Sequence, residues 1–171
     1  MTIPVISIVG KSGSGKTTLI EKIIPELRNH GYRVATVKHH SHPGFEIDQP
    51  GKDTWRFARA GSDCVIIAAP DKIAKIQKTS RELSLDEIIY SISDVDIILT
   101  EGFKRSGKAA IEIVRQATGS DLLCSSPQLI AVVSDIPVGT NVPHFVLDDV
   151  AGIVGFIESR VRMEYPAKPF T

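Results

Sequence analysis

The chain has 171 residues, 42% of them hydrophobic, enough to build the core of one domain. Its 20 lysines and arginines balance 20 aspartates and glutamates, so no global field favours nucleic acid or an anionic membrane, and neither is expected as a partner. Two cysteines, Cys64 and Cys124, are too few for a disulfide scaffold and lack zinc-ligand spacing; they read as apolar fillers of a reduced protein. The opening residues carry no basic leader or cleavage site, and no apolar run approaches about 18 residues, so a soluble cytoplasmic protein is expected.

The first element is an apolar strand, Val5 to Val9. It runs into Gly10-Lys11-Ser12-Gly13-Ser14-Gly15-Lys16-Thr17, a complete G-x-x-x-x-G-K-[ST] Walker A loop, and Thr18 opens a helix behind it. Strand, loop and helix in that order are the setting this motif requires. The glycines let successive backbone N–H groups turn onto phosphate oxygens, and the helix N-terminus adds partial positive charge. Lys16 is expected on the β- and γ-phosphates and the Thr17 hydroxyl on Mg²⁺. A glycine- and serine-rich turn without a ligand is the plain alternative. Four constrained positions in the right setting favour a nucleoside triphosphate site.

The first helix carries an apolar stripe of Leu19, Ile20, Ile23, Ile24 and Leu27, with Pro25 predicting a kink and Gly31 the cap. A second strand is expected over Tyr32–Val37, then a polar loop and a short helix over Lys52–Ala60 ended by Gly61. Cys64–Ala69 reads as a buried strand that forms an antiparallel hairpin with Ile73–Gln77 across Pro70-Asp71. Ser84-Leu85-Asp86-Glu87 resembles a capping box lacking its ideal spacing partner and opens a helix through Tyr90. Further strands are expected at Val95–Thr100, Ile111–Val114, Leu129–Val133 and His144–Leu147. A final amphipathic helix runs from Asp148-Asp149 to about Val161, and Pro166–Thr171 forms a frayed tail. The alternation implies one domain over 1–171: a three-layer α/β P-loop fold with a mostly parallel sheet, crossovers on both faces and an antiparallel edge hairpin.

Ligands of open α/β sheets lie beyond the carboxyl ends of the strands. Glu101 stands at such an end, whereas Asp96 is about 17 Å away at the other end. Glu101 is therefore the candidate for Mg²⁺ or its water, and Gly102 for a backbone N–H to the γ-phosphate; a plain surface glutamate is the competing reading. Asp48 is a second carboxylate for the metal shell, through water, since Mg²⁺ takes few protein ligands. Asp53 has an equally good role at a helix N-terminus. His39, His40 and His42 form a cluster in which His40 and His42 face the same way; two ligands do not make a metal site, and a solvated or substrate-contacting loop is preferred. Lys104-Arg105-Ser106-Gly107-Lys108 either receives an anion or is simply solvated. Asp135 either accepts from guanine N1 and N2 or forms the turn before Pro137.

These segments together resemble the molybdopterin-guanine dinucleotide biosynthesis protein B (MobB) family. The resemblance rests on Gly10–Thr17, Lys38-His39-His40-x-His42, Asp48-x-Pro50-Gly51-Lys52-Asp53-Thr54-Trp55, Arg59-Ala60-Gly61, Glu101-Gly102-Phe103-Lys104 and Ala131-Val132-Val133-Ser134-Asp135. It implies a homodimeric GTP-binding protein with weak, Mg²⁺-dependent GTP hydrolysis. It also implies an accessory role beside the molybdenum cofactor guanylyltransferase that joins GMP to molybdopterin. By the same resemblance Lys16 and Thr17 are the phosphate and Mg²⁺ residues, and Glu101 is the acidic residue ending the second motif.

Two other readings use the same loop. A small-molecule kinase needs an arginine-bearing lid, and Arg81 and Arg105 are isolated. A metal-delivery GTPase is suggested by the histidines and weakened by the lack of a nearby cysteine. Slow hydrolysis in isolation is expected because the phosphate loop has no arginine and none is evident elsewhere to supply charge in cis.

Overall fold

The computed structural model describes residues 3–42 and 44–165; the tail expected over Pro166–Thr171 lies outside them. The chain divides into two compact units, one of the described residues up to His39 and from Ile88 onward, the other His40–Glu87.

The larger unit is built on six strands: β1 Val5–Gly10, β2 Val34–Lys38, β5 Ile97–Glu101, β6 Ala109–Val114, β7 Leu129–Ser134 and β8 His144–Phe145. Their order is β2-β5-β1-β6-β7-β8, and every pairing is parallel. Central strands of such a sheet are covered on both sides, which is why their sequences read as almost continuous apolar runs. Helices α1 (Lys16–Asn29) and α4 (Val150–Glu164) bury Ile23, Leu27, Ile153 and Ile157 against Ile8, Leu99, Ile111 and Val133 of one sheet face. The other face holds a smaller cluster, Val9, Ala110, Val114 and Val132, packed by Leu122, Ile136, Val138 and Val142 from non-helical segments.

α1 passes through Pro25 without ending. It stops where glycine is expected: Gly31 takes φ 89°, its N–H donates to the Arg28 carbonyl, and Tyr32 N–H donates to the Leu27 carbonyl. That pair of bonds is a Schellman motif, closed by the buried Leu27 and Tyr32 side chains. α4 starts at Asp149, whose carboxylate accepts from Gly152 N at 2.9 Å. Lys22 to Asp148 (2.7 Å) and His30 to Glu158 (3.1 Å) tie α1 to the segment that leads into and forms α4.

The smaller unit contains α2 (Asp53–Arg59), β3 (Cys64–Ala69) and β4 (Lys72–Gln77). The expected antiparallel hairpin is present, as a two-stranded sheet of its own. The expectation of a buried β3 is overturned. Only Val65 is buried, while Ile66 and Ile67 are 54% and 57% exposed and Ile73 on β4 is 70% exposed. α3 (Leu85–Tyr90) has a complete capping box, correcting the sequence reading. Ser84 N–H donates to the Glu87 carboxylate at 2.9 Å and Glu87 N–H donates to Ser84 Oγ at 3.3 Å.

Candidate nucleotide-binding site

β1 delivers the glycine loop at the carboxyl end of the sheet. Gly10 admits no side chain: a Cβ there would lie 2.7 Å from the Ile113 carbonyl oxygen on neighbouring β6 and 2.6 Å from Ser14 Oγ. Gly13 and Gly15 take φ 76° and 94°, a left-handed geometry that costs glycine nothing. Ser14 is fully buried, and its hydroxyl has no hydrogen-bond partner among the described residues. Lys16 Nζ donates to the carbonyls of Gly10 (3.0 Å) and Lys11 (2.9 Å). The ammonium thus spans the loop and keeps a third N–H for an oxygen ligand. Lys11 reaches Asp121 at 3.3 Å. Ser12 and Thr18 complete the loop and the first turn of α1.

The structure brings Thr17 and Glu101 together. Thr17 Oγ1 donates to Glu101 Oε2 at 2.9 Å, and Lys38 Nζ stands 3.3 Å from Oε1. Glu101 ends β5, where it pairs in register with Ile8 of β1 and Lys38 of β2, so three adjacent strands converge on one carboxylate. A hydroxyl and a carboxylate at this spacing form the small oxygen donor set that Mg²⁺ accepts alongside phosphate oxygens and water. Gly102 differs from expectation. Its N–H donates to the Ile8 carbonyl at 3.0 Å, extending the β1–β5 ladder instead of facing a phosphate. Its φ of 93° begins a turn covered by His39, whose ring packs against Phe103 at 4.9 Å. Asp96 lies at the far end of β5 in a two-pronged pair with Arg33 at 3.0 and 3.1 Å, as its position implied.

Asp48 belongs to the smaller unit. One of its oxygens accepts from Gln49 N at 2.8 Å, and the other is buried without a partner among the described residues, beside a recess lined by Phe45, Ile47, Thr54 and Ile67. His40 and His42 face each other with rings 6.0 Å apart, as their alternation implied. Among the described residues no group of three or more His, Cys, Asp or Glu is arranged to hold a metal ion. Asp53 opens α2 and pairs with Arg56 at 3.7 Å.

Beyond β7, Asp135 lines a recess of about 400 Å³ with Ser134, Ile136, His144, Leu147 and Asp148. Its carboxylate accepts from Gln116 N (2.9 Å) and Arg115 Nε (2.8 Å), and these contacts hold its pKa below the ordinary aspartate value. Lys22 does the same for Asp148. Sequence reasoning missed Arg115 and Asp148, and it placed Lys38 in the histidine motif without pairing it to Glu101. Arg115 had a usable signal: like Glu101, it is a charged residue at the carboxyl end of a strand of the parallel sheet.

Strand order, glycine loop and the acidic end of β5 define an α/β protein of the P-loop type. The model of the family "Molybdopterin guanine dinucleotide synthesis protein B" matches residues 5–135, and the chain belongs to that family. A molybdopterin-guanine dinucleotide biosynthesis adapter protein of Haemophilus influenzae is 36% identical over 92% of this chain and 89% of its own. Its Escherichia coli counterpart is 35% identical over 91% of each. A crystal structure of molybdopterin-guanine biosynthesis protein B superposes with TM-score 0.72 at 37% identity, covering 91% of this chain and 99% of that one. Among the described residues no helix is long and apolar enough to cross a membrane.

Proposed function

We propose that the chain is a GTP-binding adapter in molybdopterin guanine dinucleotide synthesis, with weak Mg²⁺-dependent GTP hydrolysis. It works as a homodimer beside the guanylyltransferase that joins GMP to molybdopterin, and molybdopterin is a further candidate ligand. The observation that carries the nucleotide reading is the 2.9 Å contact between Thr17 and Glu101, residues 84 apart in sequence that meet beside the glycine loop. Bound there, Mg²⁺ neutralises charge on the β- and γ-phosphates. Lys16 holds the phosphates, and Thr17 and Glu101 hold the ion. The base enters the recess at the ends of β7 and β8. A carboxylate accepts about four hydrogen bonds, so Asp135 retains acceptor capacity for guanine N1 and N2 beside its contacts to Arg115 and Gln116. The adapter role rests on the family and on the names of its relatives.

Equilibrium titration with GTP and ATP tests the reading. Wild-type protein binds GTP more tightly than ATP, and Lys16→Ala removes triphosphate binding while the fold survives, because Lys16 faces the loop rather than the core. Each lost charge-assisted contact is worth about 1.5–3 kcal/mol. Unchanged affinity in folded Lys16→Ala would sink the assignment.

A further inference from the structure

Arg115 follows β6 and points back at the glycine loop. A methyl group on Gly15 would lie 4.0 Å from one of its terminal guanidinium nitrogens. Only Nε has a hydrogen-bonding partner among the described residues, the Asp135 carboxylate at 2.8 Å. Arginine carries five N–H donors in a rigid fork. Four of them remain on the two terminal nitrogens, between the phosphate loop and the recess at Asp135 and Asp148. The side chain is about one-third exposed, so a ligand in the loop can reach it. The backbone N–H of Gln116 fixes the same carboxylate from the other side, so the fork is aimed before any ligand arrives. A guanidinium aimed by a carboxylate, with its outer donors unspent and a phosphate loop alongside, is built to receive an anion.

We infer that Arg115 is a phosphate-contacting residue of this site, donating in cis to the oxygens of the bound nucleotide's phosphate chain, with Asp135 as its positioning residue. This rests on the nucleotide reading above and corrects the expectation that the chain offers no arginine in cis. It also joins the two ends of the ligand. Asp135 holds the arginine that touches phosphate and also lines the recess that takes the base.

Competition binding with GTP, GDP and guanosine on folded wild-type protein, Arg115→Gln, Arg115→Lys and Lys16→Ala separates the possibilities. Arg115→Gln weakens GTP and GDP by about 10- to 100-fold, the equivalent of one or two charge-assisted hydrogen bonds, and leaves guanosine unchanged. Arg115→Lys, which keeps charge but loses the fork, recovers part of the loss. GTP affinity in Arg115→Gln equal to wild type overturns the inference, as does an equal loss for guanosine, which would mark a merely structural role. Failure of the nucleotide reading looks different: wild-type protein does not bind GTP, or Lys16→Ala binds it undiminished.

Discussion

At the carboxyl end of β5, one oxygen of Glu101 faces the Thr17 hydroxyl and the other faces the Lys38 ammonium. Lys38 is 62% exposed, so the ion pair is screened and contributes at most about 1 kcal/mol to stability. Glu101→Gln keeps the shape and removes the charge. GTP binding is expected to persist and most Mg²⁺-dependent phosphate release to disappear, with unfolding free energy changed by less than about 1 kcal/mol. Hydrolysis at the wild-type rate would remove Glu101 from the metal site. The placement of Lys16, Thr17 and Glu101 was legible because it follows from local order: a glycine loop between strand and helix, and a carboxylate at a strand's end. Arg115 was not, because its placement depends on Asp135, 20 residues away just past the end of β7. Gly102 was misread for the same reason, since its N–H is taken by Ile8 of β1.

Helix α3 is short and begins with charge chemistry. Glu87 accepts from the Arg81 guanidinium, from Ser84 N and from Ser84 Oγ, and these contacts push its pKa from 4.5 down to about 2. A carboxylate depressed on folding contributes stability that is present above the unfolded value and lost as pH falls through the folded one. The α3 N-terminus is therefore expected to hold above pH 4.5 and to loosen as pH falls toward about 2. The group is exposed, so added salt weakens the effect. A carboxyl NMR titration of Glu87 checks it; a midpoint near the ordinary glutamate value would contradict the cap. At β3, hydrophobic patterning failed. An unbroken apolar run fits a strand buried inside a sheet, yet it equally fits one whose cover lies outside its own hairpin, and periodicity does not separate the two.

An isolated two-stranded hairpin with three half-exposed or more exposed isoleucines is marginal by itself. Burying the surface that Ile66 and Ile73 still expose, 54% and 70%, would contribute about 1–2 kcal/mol each. A homodimer in which a second copy covers the β3–β4 face accounts for both facts. Sedimentation at micromolar concentration is expected to show the dimer, and the double variant Ile66→Lys/Ile73→Lys a monomer that still binds nucleotide in the larger unit. A wild-type monomer at that concentration, or a double variant that stays dimeric, would reject this face as the interface.

The sequence alone determined the phosphate loop, the strands that carry it and Glu101, and the glycines that end α1 and α2. Each of these is written in residues adjacent along the chain, through backbone geometry that only certain side chains permit. The tertiary structure decided the rest: that Thr17 meets Glu101, that Gly102 spends its N–H on β1, that Arg115 is aimed by Asp135, and that the apolar hairpin stands exposed. Those outcomes depend on which strands become neighbours. Parallel pairing joins segments tens of residues apart, and a side chain's role is then set by a partner that no local pattern names.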